Sequence, residues 1–312
     1  MKTRIGYLVP EFPGQTHTWI WRDRKALAEL GIDAELVSTR RPRFIVHAWA
    51  EEAQKATRYL VPLSASDALS SLKTLAQAGP VALARCVLTV FEVRDIGFTG
   101  RLRLAAMIFV AGKLAALAKE RGWSQLHVQS SGDAAHIAAF ASYLARINYS
   151  ISLLASLSGY GPNQRIKWQD ASFGLVMSER LRSELEDKLG DAAPEHIAIA
   201  PMGVDLDQTK RSHPYSPWRP GQPAHLYTCG RLNPVKGHTY LFKALALLRA
   251  QGIEVRLEVA GEEEGQSGYR DKLARELAEL GLTESVELLG GVPEERHREA
   301  LEHAHVFVLP SL

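Results

Sequence analysis

The chain has 312 residues, 46% of them hydrophobic and 23% charged, with a formal net charge of +2. That length suits two domains with separate cores, and the composition excludes a disordered polypeptide. The charge is too small to argue for nucleic acid, yet it is uneven, with basic clusters at 40-RRPR-43 and 94-RDIGFTGRLR-103. These read as solvated faces or as contacts for an anionic membrane surface.

In chain order, the N-terminus has no long apolar run ahead of a cleavage site, which reads as a cytoplasmic protein. Cys86 and Cys229 form no CxxC and suit small core residues in a reducing compartment. Strand-like segments at Arg4–Pro10, Ala34–Ser38, Gln125–Gln129, Ser150–Leu157, Phe173–Ser178 and Ile197–Pro201 are rich in β-branched or large apolar residues. Helical patterns lie between them, as at 17–31, which ends on Gly31, and at 133–147. This alternation predicts an α/β protein with parallel sheets covered by helices on both faces. The most hydrophobic stretch, 104-LAAMIFVAGKLAALA-118, is too short to span a bilayer and carries Lys113. It reads as a core helix, with a helix lying on a membrane as the alternative.

Residues 212–224 hold four prolines and a glycine and read as a linker between an N-terminal domain, 1–211, and a C-terminal one, 225–312. The second cycle predicts strands His225–Cys229, Glu254–Ala260, Ser285–Leu289 and Val306–Leu309, the last a buried strand. The helices expected between them are 239–252, Tyr269–Leu280 and Glu294–Ala304. Doubly wound domains usually have five or six strands, so the second domain reads as incomplete.

Several signatures of common chemistries are missing. No GxGxxG follows the first strand, and GxxxxGK[ST], GxSxG and HExxH do not occur. Asp205 and Asp207 form a DxD too short to carry a metal assignment, and no metal or cofactor is expected. The most informative segment is 226-LYTCGRLNPVKGHTYLFKAL-245. A strand ends at Gly230, Asn233-Pro234 make a turn, and a helix follows Gly237, so Arg231 and Lys236 sit beside a helix N-terminus. Two cations and unpaired backbone N–H groups there suit a diphosphate.

The stretch GRLNPVKGH, with 199-IAPMGVDLD-207, 258-EVAGEEEG-265 and 285-SVELLGGVPEERHREALEHAHVFVLPS-311, resembles the GT-B glycosyltransferases of family 4. The segments 7-YLVPEFPGQTHTWIWRDRKAL-27 and 159-GYGPNQRIKWQDASFGLVMSERLRSEL-185 are similar to its bacterial exopolysaccharide branch. The resemblance implies two Rossmann-like domains facing a cleft. It implies a nucleotide sugar, a UDP-sugar in the first instance, on the C-terminal domain. The acceptor, a saccharide or polyprenyl-diphosphate-linked saccharide at the cytoplasmic membrane face, would lie on the N-terminal domain, with transfer by retention and without a metal.

The resemblance also assigns residues. Arg231 and Lys236 match the family's phosphate-binding pair, and Gly14, Gln15 and Thr16 its N-terminal donor loop. Gly290, Gly291 and Val292 stand where backbone groups read the nucleobase. His127 resembles a histidine facing the cleft, and Asn163, Gln164, Arg165 and Lys167 are candidates for the acceptor. His136 reads as packed or surface, and Trp19 and Trp21 as packing or sugar-stacking residues. Relatives carry a histidine beside the donor sugar where this chain has Leu154 and Ala155; in a shifted register Ser156 or Ser158 takes that place. The family's PS motif is followed by a helix with two glutamates, which lies beyond these 312 residues. Two other readings stay open: a nucleotide-sugar-binding or scaffolding protein without catalysis, and a sugar-nucleotide epimerase of the same shape.

Overall fold

The computed structural model describes residues 3–14, 17–42, 49–94, 96–207, 209–263 and 268–312. The chain forms two compact units that divide between Gly203 and Val204. The first contains β1 (Thr3–Glu11), α1 (Thr18–Glu29), β2 (Ile32–Arg40), α2 (Ala50–Ala56), β3 (Arg58–Tyr59), α3 (Ala65–Ala78), α4 (Pro80–Glu92) and α5 (Phe98–Arg121). It continues through β4 (Gln125–Val128), α6 (Asp133–Ala145), β5 (Asn148–Leu153), α7 (Gln164–Trp168), β6 (Gly174–Val176), α8 (Glu179–Leu189) and β7 (Ile197–Ile199). The second contains β8 (Ala224–Cys229), α9 (His238–Ala250), β9 (Val255–Ala260), α10 (Tyr269–Glu279), β10 (Val286–Gly290), α11 (Glu294–His303) and β11 (Val306–Phe307).

Each unit is a doubly wound parallel sheet. The strand orders are β3-β2-β1-β4-β5-β6-β7 and β10-β9-β8-β11. In both, the winding reverses beside the first strand of the unit, at β1/β4 and at β8/β11. Loops splay apart at the carboxyl ends of such strands, which makes them the ligand-binding position of open α/β sheets.

The apolar strands behave as expected of sheets covered on both faces. Leu8, Leu126, Val128, Ile151, Leu153 and Val176 are buried in one core with Leu114, Ala115 and Phe140 from α5 and α6. In the second unit Val255, Leu257 and Val259 pack against Leu241, Phe242 and Leu245 of α9 and Leu273 and Leu277 of α10. The hydrophobic stretch 104–118 is a core helix, burying Leu104, Ala111, Leu114, Ala115 and Ala118, and it runs longer than its apolar centre. Gly122, with φ 63, ends it in a left-handed cap.

Three expectations are corrected. The strand expected over Ser150–Leu157 ends at Leu153, because 157–160 turn into a 3-10 helix. Val306–Phe307 is an exposed strand rather than a buried one, with Phe307 45% exposed: it pairs with β8 on one side only. Residues 204–224 group with the second unit. There Ser212 donates to Glu302, and Tyr215 donates through its hydroxyl to the carbonyl of His305 at 3.0 Å.

The segment 65–92 carries no legible strand or core-helix pattern in the sequence, yet it folds as α3 and α4. Ser64 caps α3, accepting from the Asp67 N–H while Asp67 accepts from the Ser64 N–H, a reciprocal capping box. Gly79, at φ 84, joins the two helices, and Pro80 opens α4 at a position needing no N–H.

Candidate functional site

At the carboxyl end of the second sheet, three strand ends are stitched together. Gly230 donates its N–H to the Ala260 carbonyl at 2.9 Å, and Gly261 donates to Gly290 at 2.7 Å. Leu232, buried, donates to the Glu262 carbonyl at 2.9 Å. Arg231, half-buried, is held between these anchors. Asn233 then accepts from the Val235 N–H through Oδ1 at 3.1 Å, closing the one-turn 3-10 helix Pro234–Lys236. Lys236 folds back so that its Cε lies 3.6 Å from where a Cβ on Gly230 would stand. Lys236 thus lies over Gly230, the residue that precedes Arg231.

Gly237 ends the turn in the left-handed region at φ 70 and caps α9. A side chain there would meet the Pro310 carbonyl at 2.0 Å, so backbone passes against backbone. Leu312 donates its N–H to Val235 at 2.8 Å. The reversal at β8/β11 thus lays Pro310–Leu312 along the loop that carries Lys236.

His238 opens α9 beside this loop, and the sequence reading had given it no role. It is buried, packs against Tyr269 with ring centroids 6.0 Å apart, and leaves Nδ1 unbonded. Burial lowers its pKa, and the Lys236 charge lowers it further, so the ring is neutral beside the cation. The dipeptide GH at the end of the basic loop was the available signal.

Gly290, Gly291 and Val292 lie where β10 ends, with Gly290 at φ 75. The Gly291 N–H is occupied: it donates to Glu262 Oε1 at 2.9 Å. Backbone reading by Gly291 thus requires the carboxylate to move aside. Replacing Glu262 by Ala is expected to speed amide exchange at Gly291 several-fold, measured by hydrogen–deuterium exchange; unchanged exchange would show that the carboxylate contributes no protection.

In the first unit, Gly14 donates to His17 Nδ1 at 3.0 Å and accepts from the His17 N–H at 3.1 Å, a tight turn before α1. Gln15 and Thr16 lie outside the described residues. Trp21 is packed rather than open for stacking on a sugar: it is buried and lies parallel to Trp49 at 5.9 Å. Trp19 packs at the edge of the same cluster.

His127 is corrected from a cleft residue to a core residue. It is 5% exposed, with Nδ1 at 2.8 Å from Ser150 Oγ and Nε2 at 2.9 Å from Ser152 Oγ. Burial lowers its pKa from 6.5 to about 4. His136 is also buried, and its pKa falls to about 3 through burial and then the Lys167 charge.

The four acceptor candidates turn their polar groups onto their own unit. Asn163 Oδ1 accepts from the Arg94 N–H at 2.8 Å, and Arg165 makes a two-pronged bond to Asp191 at 2.7 and 2.8 Å. Gln164 donates to the carbonyls of Tyr160 and Gly161 at 3.1 and 2.9 Å. Lys167, 2% exposed, donates to those of Ser131 and Tyr160 at 2.9 and 3.0 Å. Burial lowers its pKa to about 8. These bonds fasten the turn before α7.

Leu154 directly follows β5, at the strand's carboxyl end, and Ser156 is engaged by Glu184 Oε1 at 2.7 Å. A polar group the sequence reading missed lies nearby in the sheet: Tyr7 donates to Asp23 Oδ2 at 3.1 Å and accepts from Gln129. Gln129 Oε1 is buried and unbonded. Asp205 and Asp207 lie in an exposed turn where the Asp205 carboxylate accepts from the Asp207 N–H at 3.0 Å, and Asp207 pairs with Lys210.

Residues 213–312 match the family model described as glycosyl transferases group 1. The second unit is thus similar to group 1 glycosyl transferases. Among curated proteins, WcaL of Salmonella typhimurium, provisionally named as a colanic acid biosynthesis glycosyltransferase, is 28% identical over 162 residues. That match covers 52% of this chain and 38% of the relative, so the chain spans well under half of the protein it matches. Two solved structures share the GT-B fold with this chain. The lipopolysaccharide outer core galactosyltransferase WaaB is 16% identical, with a TM-score of 0.59 over 99% of this chain and 74% of its own. Alr3699/HepE of Anabaena, in complex with UDP and glucose, is 16% identical, with a TM-score of 0.61 over 93% of this chain and 69% of its own.

Proposed function

We propose that this glycosyltransferase chain binds a nucleotide sugar, UDP-linked in the first instance, through the rim formed by Arg231, Lys236 and the start of α9. In this reading the sugar passes to a growing polysaccharide, lipid-linked at the cytoplasmic face of the membrane, with retention and without a metal ion. The observation that carries the proposal is the return of Lys236 over Gly230, just before the first turn of α9 and at the strand-order reversal. As the glycosidic bond breaks, negative charge grows on the leaving diphosphate. Cations fixed there beforehand favour the transition state over the ground state. The UDP complex of HepE and the name of WcaL support the nucleotide and the polysaccharide context.

Calorimetry with UDP tests the site. Arg231→Ala is expected to weaken binding by about tenfold or more, because a charge-assisted hydrogen bond contributes roughly 1.5–3 kcal/mol. Unchanged affinity would overturn the donor assignment.

A second reading, nucleotide-sugar binding without catalysis, is favoured by Leu154. It stands at the carboxyl end of β5, where the family resemblance expects a histidine, and its side chain has neither donor nor acceptor. Product formation from a UDP-sugar by these 312 residues would eliminate it.

A further inference from the structure

We infer that the outer face of α3, α4 and the first turns of α5 is a docking surface for a bilayer carrying anionic headgroups. The inference stands apart from the nucleotide site and rests on helices that leave large apolar side chains exposed on their outer face as well as packing others inward.

In α3 Ser71 and Thr74 are buried and Leu75 and Ala78 pack partly against the core, while Leu69 and Leu72 are exposed. The inward face fits because Gly112 of α5 has no side chain: a Cβ there would lie 3.1 Å from the Ser71 Cβ. The next helix adds to the exposed apolar face. Cys86, Thr89 and Val90 of α4 are buried, whereas Val81 is 82% and Phe91 70% exposed, with Leu88 between them. At the start of α5, Phe98 is 76% exposed and Leu102 follows one turn later. Leu69/Leu72, Leu88/Phe91 and Phe98/Leu102 are spaced by three or four residues, so each pair lies along one side of its helix. Scattered apolar residues on a surface are ordinary, but aligned stripes on three successive helices mark an interaction face.

Two observations select a bilayer as its occupant. Among the described residues no single helix is long and apolar enough to cross a membrane, but α3 and α4, bent by 108° at their junction, pass that test as a pair. Contact with the apolar boundary, without crossing it, is what a sharply bent pair of this composition permits. Exposed cations also border the stripes, with Glu92 the exposed acid beside Phe91. Lys73 and Arg94 are exposed beside them, and Arg101 reaches back to the Val90 and Phe91 carbonyls, fixing a guanidinium at the Phe91 end of α4. Leucine and phenylalanine bordered by lysine and arginine is the composition of interfacial helices on anionic lipid. The 104–118 stretch, which looked from the sequence like the membrane-facing helix, serves as core instead; the lipid-compatible face lies on its neighbours.

Co-sedimentation with phosphatidylcholine/phosphatidylglycerol vesicles tests the inference on the 312-residue chain. Wild type is expected to bind these vesicles. The triple variant Leu72→Ser, Leu88→Ser, Phe91→Ser is expected to keep its circular dichroism and to partition on the order of tenfold more weakly. Lys73→Glu with Arg94→Glu should weaken binding to the mixed vesicles while leaving pure phosphatidylcholine unaffected. As a check that does not remove apolar surface, Leu88→Trp should show a blue-shifted emission on adding vesicles. The inference is overturned if wild type ignores the mixed vesicles or the triple variant partitions like wild type. It is equally overturned if wild type self-associates through this face, the triple variant becomes monomeric, and vesicle binding is unchanged.

Discussion

Between pH 6.5 and 4 the first unit is expected to lose stability on the order of 5 kcal/mol, before most of its carboxylates are protonated. The cause is the pair of histidines held neutral by burial, His127 with its pKa lowered to about 4 and His136 with its pKa lowered to about 3. In the unfolded chain both take up a proton near their ordinary 6.5, while the folded unit excludes it. Stability is therefore fully present above 6.5 and falls as the pH drops. The loss from His127 stops growing below about 4, and that from His136 below about 3. Each pH unit in this window costs about 1.4 kcal/mol per histidine, so the two together approach the whole stability of an ordinary domain. Asp67, lowered to about 2 chiefly by its bond with Lys113, adds a separate loss that begins only below its ordinary 3.8. His127→Gln retains a partner for a serine of β5 and removes one protonation site. Its unfolding, followed by circular dichroism, should therefore be less steep in pH while its stability at pH 7 falls. An unaltered pH profile would show that His127 is not excluded from protonation in the folded chain.

The second large effect is expected from Gly261→Ala. Gly261 follows β9 at φ 143, and a Cβ on it would stand 1.8 Å from the Gly230 carbonyl oxygen. No rotamer relieves that overlap, because the backbone fixes the Cβ position and the oxygen belongs to the backbone of Gly230. The end of β8 must move, and Arg231 moves with it. Accommodating the methyl group is expected to cost about 3 kcal/mol or more, the upper range of overpacking combined with a strained backbone angle. The variant should show a lower melting temperature together with weaker binding of UDP. Arg231→Ala, by contrast, should change binding with little change in melting temperature. If Gly261→Ala melts as wild type and binds UDP as well, the three strand ends are not the rigid frame of the site.

What was legible in the sequence was mostly local. The loop 231–238 could be placed because its turn residues, its cations and the glycine that starts the helix are neighbours in the chain, and backbone preferences alone bring them together. The regular alternation of strands and helices was legible for the same reason. His127 was not, because its partners, Ser150 and Ser152, are on β5 and meet it only through the parallel register that sets His127 opposite Ser150. Gly291 was read as an unoccupied backbone group, since Glu262 reaches it from the end of a different strand. The helices α3 and α4 were hard to orient because they carry apolar residues on both sides, Leu75, Leu83 and Val90 toward the core and Leu69, Leu72, Leu88 and Phe91 outward.

The amino-acid order by itself therefore determined the two α/β units, the basic loop after β8 and the left-handed glycine that ends it, all products of short-range preference. The tertiary structure decided which polar side chains remain for a ligand. It tied Asn163, Gln164, Arg165 and Lys167 to partners in their own unit and set Pro310–Leu312 along the loop that carries Lys236. A polar group becomes a site or a structural tie according to what distant segment fills its hydrogen bonds, and only the assembled sheet brings that segment within reach.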